Sequence, residues 1–97
     1  MKTTIPEVID ILERFVSNKL GNWEWDDFIS IRQKDEFVDA LRLWAGDLHD
    51  DYPAKKGEGY CNPEGIEQIR KVIEGLKKIM EAHAQVIQIM NQNKETD

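Results

Sequence analysis

The one place where an imidazole and carboxylates crowd together is Asp47, His49, Asp50 and Asp51. Such residue types bind divalent cations or relay protons when they converge. Their spacing argues against convergence: on a helix Asp47 and Asp50 fall near one face and Asp47 and Asp51 lie one turn apart, but His49 projects about 100° from Asp50 and about 200° from Asp47. The pattern predicts a solvated acidic surface at a helix end. Acids at a C-terminus oppose the helix dipole and invite a basic neighbour.

Metal-dependent phosphohydrolases use a His-Asp doublet like His49-Asp50, together with further histidines and aspartates. The only other histidine, His83, falls on an apolar seam. Helical pyrophosphatases instead hold magnesium with carboxylates three apart on facing helices. Glu7 with Asp10 and Glu64 with Glu67 have that spacing, so a magnesium-dependent helical nucleotide pyrophosphohydrolase stands as the alternative function, although ordinary polar helix surfaces share the spacing. Cys61 precedes a helix start whose dipole could lower its pKa, but no histidine is set beside it, and a buried anchor or inert thiol is expected. A single cysteine also excludes an intramolecular disulfide or an intrachain thiolate cluster. The sequence has no glycine-rich phosphate loop, histidine-rich zinc motif or dinucleotide fingerprint. No catalytic, metal-ligating or cofactor-binding residue is assigned, and no cofactor is expected.

Charge is distributed unevenly. The chain of 97 residues carries a formal charge of -6; residues 1 to 51 hold six Lys or Arg against twelve Asp or Glu, and residues 52 to 97 hold seven of each. Such a field disfavours nucleic acid and anionic lipid and favours a basic protein partner, while also serving solubility. Arg70, Lys71, Lys77 and Lys78 are interspersed with Glu67, Glu74 and Glu81, so pairs such as Glu67 with Lys71 read as helix support before nucleic-acid contact. Apolar runs fall far short of the roughly twenty residues that span a bilayer. Glu7 and Asp10 inside the first apolar segment are wrong for a secretory signal; a cytoplasmic location is expected.

Helical elements must position these groups. Thr4 with Glu7 forms a capping box, Pro6 suits a first turn, and Ile5, Val8, Ile9, Leu12, Phe15 and Val16 make one apolar face, with Ile11 at its edge. Leu20-Gly21-Asn22 supplies the expected end. Trp23 to Ser30 is the densest aromatic stretch, predicted as a connector or one helical turn over Trp25 to Ser30. A second helix is expected from Lys34 or Asp35 to Asp51, with Phe37, Leu41, Trp44, Leu48 and Tyr52 as its stripe, widened by Val38, Ala40 and Ala45. Gly46 marks a candidate close crossing. Pro53 opens a loop through Cys61, including Gly57 and Gly59, which is the best flexible or ligand-facing segment. Asn62-Pro63 restarts the helix. From there Ile66, Ile69, Ile73, Leu76, Met80, His83, Ile87 and Met90 alternate at spacings of three and four, with Val72, Ile79, Val86 and Ile89 in a flanking line. A helix from Asn62 to Met90 would extend about 44 Å against about 25 Å for the first. Either Gly75 or a break near His83 shortens it, or its distal part packs outside the intrachain core, most simply on another copy.

The stretches from Asn22 to Ser30, from Asp50 to Pro53 and from Gly59 to Gly65 resemble a small, largely uncharacterised family of bacterial acidic proteins with a Trp-x-Trp-Asp-Asp-Phe segment. The resemblance covers roughly residues 9 to 79 and implies a bacterial origin and one recurring domain. It carries over no activity or catalytic residue; toxin neutralisation, a role of some such small proteins, is the functional link it suggests.

The expected fold is all-α: a small bundle of three main helices with a short helical or irregular aromatic connector. Residues 1–90 form one domain, with 80–90 projecting into an oligomer interface and 91–97 as a flexible polar tail. The expected function is a non-enzymatic protein–protein interaction module, immunity-like or antitoxin-like and homodimeric. Trp23, Asp26, Asp27, Asp47, Asp50 and Asp51 are the candidate contacts for a basic protein, provided that they share one exposed surface. Met80, His83, Ile87 and Met90 are the candidate oligomer interface.

Overall fold

The computed structural model describes residues 3–21, 23–57 and 59–95, with side chains described as far as Gln92. The expected contributions of Asn22 to a helix end, of Glu58 to the loop and of residues 96–97 to the tail lie outside the described residues. The fold is an all-α bundle of four helices: α1 (Ile5–Val16), α2 (Glu24–Ser30), α3 (Glu36–Asp51) and α4 (Pro63–Glu95). The seven-residue α2 is the aromatic connector, helical from Glu24 to Ser30.

Local chemistry sets the boundaries. The Thr4 hydroxyl accepts the Glu7 N–H and the Glu7 carboxylate accepts the Thr4 N–H, each at 3.4 Å, so the capping box satisfies two otherwise orphaned donors. α1 closes at Val16, short of the expected Leu20-Gly21 end. Asn18 takes the left-handed conformation (φ 58°), its N–H donates to the Phe15 carbonyl at 3.1 Å and the Lys19 N–H donates to the Arg14 carbonyl at 2.8 Å. These are the paired bonds of a Schellman closure, and asparagine is one of the few non-glycine residues that accept it. Asp35 caps α3 by accepting the Phe37 and Val38 N–H groups at 2.9 and 3.0 Å. Asn62 caps α4 through the Gly65 N–H at 3.0 Å.

The core lies where α1 runs along α4 and α2 lies on α3. Val8 and Leu12 of α1 face Ile69, Ile73 and Leu76 of α4, with Trp25 and Phe28 of α2 completing the enclosure. The inward line of α3 follows most of the expected stripe, with Leu41, Trp44 and Tyr52 packed against the core. Val38, Ala45 and Leu48 are buried, whereas Phe37 is 46% exposed and Ala40 is also outside. Where α2 crosses α3, a Cβ placed at Gly46 would stand 3.8 Å from that of Ile29, an ordinary van der Waals approach. Gln33, a buried polar residue in the α2–α3 connection, ties three segments together. It accepts the Thr3 N–H at 2.9 Å, donates to the Ile31 carbonyl at 3.2 Å and gives its own N–H to Asp39 at 2.9 Å.

α4 passes unbroken through Gly75 and His83 and continues five residues beyond the expected end at Met90. Its 33 residues correspond to about 50 Å and give the molecule its long dimension of 63 Å, against 25 and 22 Å across. Every described side chain from Glu81 to Gln92 is exposed.

Candidate interaction surfaces

The aromatic and acidic residues of α2 and α3 do not form a single patch. Trp25 is buried and stacks on Phe15 with ring centroids 4.0 Å apart, so half of the Trp-x-Trp pair serves the core. Trp23, one position before α2, is 73% exposed. Asp27 lines an open cleft of about 280 Å³ between α1 and α2 together with Glu7, Asp10, Arg14 and Glu24. In that cleft Arg14 bridges Asp10 and Glu24. The Gly21 N–H and then Arg14 hold the Glu24 carboxyl below the usual range.

Asp26 points elsewhere. Burial raises the Tyr60 phenol pKa, the Trp25 indole opposes this, and the charges of Asp50 and Asp26 push it up further. Asp50 reaches Tyr60 through His49, and Asp26 follows Trp25, whose ring centroid lies 5.6 Å from that of Tyr60, so both acids belong to this corner. Asp47 and Asp51 are exposed on the same last turns of α3. The Tyr60 hydroxyl donates to the Gly46 carbonyl at 2.7 Å, and His49 Nδ1 lies 2.9 Å from that carbonyl and 3.0 Å from the hydroxyl. His49 Nε2 faces Asp50 Oδ1 at 3.3 Å. The imidazole is thus engaged with Tyr60, Gly46 and Asp50, a junction that helix periodicity alone does not reveal because Tyr60 arrives from the loop. The indole N–H of Trp25 is enclosed beside Tyr60, near enough to oppose the rise of its pKa but outside hydrogen-bond geometry with any described residue.

Cys61 is buried, and burial pushes its thiol pKa up; the expected buried anchor is what the loop provides. Tyr60 and Cys61 pack against the core, so this end of the loop is structural. Glu7 and Asp10 face the α1–α2 cleft, while Glu64 and Glu67 are exposed on the first turns of α4. Among the described residues no group of three or more His, Cys, Asp or Glu side chains is arranged to hold a metal ion.

The distal part of α4 presents a different surface. Met80 is half-buried at the edge of the bundle and His83 is exposed, while Ile79, Val86, Ile87, Ile89 and Met90 are between 44% and 58% exposed. Three of these five belong to the flanking line rather than the heptad seam. At 100° per residue their mean direction is displaced roughly 70° around the helix from the line of Gly65, Ile69, Ile73 and Leu76 that faces the core. The distal face therefore looks sideways from the bundle instead of simply prolonging its core. Among the described residues no helix is long and apolar enough to cross a membrane. No family model, curated protein or solved structure matches the chain.

Proposed function

We propose that the chain is a non-enzymatic protein–protein interaction module that docks a second copy of itself along the distal half of α4. The uncovered apolar face at residues 79–90 carries this reading. Complete burial of a large aliphatic side chain contributes about 1.5–3 kcal/mol. Side chains near half exposure retain about 1 kcal/mol each, so the five on each copy offer about 10 kcal/mol to a pair. Association itself costs about 4–15 kcal/mol, which favours a dimer of modest affinity over a tight one. Sedimentation of the full chain across roughly 5 to 500 µM is expected to show a monomer passing to a dimer. Ile79→Glu with Ile89→Glu should hold it monomeric without loss of helical circular dichroism. A wild-type monomer throughout, or a dimer indifferent to both substitutions, defeats the proposal.

A second reading draws on the convergence of Asp26 and Asp50 beside Tyr60. In an immunity-like or antitoxin-like role this acidic corner, with exposed Trp23 near the start of α2, covers a basic surface of another protein. The combined substitutions Asp26→Lys and Asp50→Lys should release a basic protein that the wild-type chain retains from its source organism, while self-association persists. Retention of the same protein by the doubly substituted chain rules the corner out.

A further inference from the structure

The charge pattern of α4 bears on how two copies would meet, an inference that rests on the self-association just proposed. Residues 82–93 contain no Lys, Arg, Asp or Glu, in a chain that is 33% charged. Its one titratable side chain is His83, and the rest of its polar surface is glutamine and asparagine. Charge returns at Lys77, Lys78 and Glu81 on one side and at Lys94 and Glu95 on the other. A chain of net charge -6 repels its own copy wherever acidic surfaces approach. The neutral stretch is a place where two copies can touch without placing like charges in contact, and it overlaps the uncovered apolar face from Ala82 to Met90.

We infer that two copies pair antiparallel through residues 79–93, with the two-fold axis beside Val86. Val86 lies near the middle of both the apolar face and the neutral stretch. With the axis there, Glu95 of one copy reaches the level of Lys77 in the other. The overlap therefore ends where the bundle begins, since Lys77 already lies against α1, 3.4 Å from Glu13. A parallel pair would set the two acidic bundles side by side. The antiparallel pair holds them at opposite ends, separated by more than the screening length of about 10 Å, and sets the two helix dipoles antiparallel, the favourable side-by-side arrangement. The assembly would display two acidic corners facing away from each other, a bivalent arrangement for a basic partner.

Single cysteines at Val86 and Ile79 distinguish the arrangements, with wild-type protein as the background because Cys61 is only 1% exposed. In the antiparallel pair the two Val86 positions meet at the axis, whereas the two Ile79 positions stand about 21 Å apart along the helices. A short bismaleimide should link Val86→Cys into dimers in high yield and leave Ile79→Cys unlinked. Equal linking at both positions means a parallel pair and overturns the orientation alone. A dimer by sedimentation that links at neither position overturns the placement of the interface. A monomer by sedimentation overturns the self-association on which the inference rests.

Discussion

Gly65→Ala is expected to destabilise the fold by about 1–2 kcal/mol, although alanine is the better helix former. A Cβ at position 65 would lie 2.9 Å from Cys61 Sγ, 3.0 Å from Cys61 Cβ and 3.0 Å from Tyr52 Cβ. Two of these neighbours are themselves Cβ atoms, held by their backbones, so neither can swing aside. Overpacking of this kind costs about 1–3 kcal/mol; the helical preference of alanine returns up to about 1 kcal/mol. Gly75→Ala is the internal control. No atom outside the helix's own backbone lies within 4 Å of a Cβ there, so the same substitution should stabilise by about 0.5–1 kcal/mol. Urea unfolding followed by tryptophan fluorescence reads both, at protein concentrations low enough to keep the chain monomeric. The midpoints should move in opposite directions with similar slopes. A Gly65→Ala protein as stable as wild type would refute the packing described at the start of α4.

Tyr60→Phe removes the hydroxyl that donates to the Gly46 carbonyl at 2.7 Å. His49 Nδ1 still lies 2.9 Å from that carbonyl, so urea unfolding should show a loss of only about 1 kcal/mol; a loss several times larger would mean that the hydroxyl organises more than this junction. Glu24 is held below the usual carboxylate range by the Gly21 N–H and then by Arg14, and Asp39 by Arg42 and then by the Gln33 N–H. Each binds a proton less readily in the folded chain than in the unfolded one. Their contribution is therefore present at neutral pH and lost as pH falls below about 4. The thermal midpoint should drop over that interval, and Glu24→Gln with Asp39→Asn should flatten the drop; an unchanged slope would contradict the assignment.

Helix identity was legible wherever local chemistry decided it. The Thr4–Glu7 box, the Asp35 cap and the Asn62-Pro63 start are written in a few consecutive residues, and the face of α1 repeats cleanly from Ile5 to Val16. The exposure of Phe37 was not, because Phe37 and Val38 fit the inner stripe of α3 equally well by spacing alone. For the same reason Trp23 and Trp25 could not be sorted from their types alone; Trp25 is drawn inward by Phe15, which comes from another helix. Gln33 gave no signal either, since its three bonds join Thr3, Ile31 and Asp39, and two of the segments it ties meet only in the folded chain. The mismatch between a long last helix and shorter neighbours, by contrast, needed only the count of residues in each apolar run.

Amide hydrogen exchange along α4 probes the proposed docking of a second copy on its distal half. Projecting without tertiary cover, residues 82–92 depend on their own helix propensity and should exchange quickly in a dilute monomer. Raising the protein concentration should slow exchange across residues 82–92 while leaving residues 66–76, already packed on α1, nearly unchanged. Exchange in the distal half that is the same at every concentration would contradict the account.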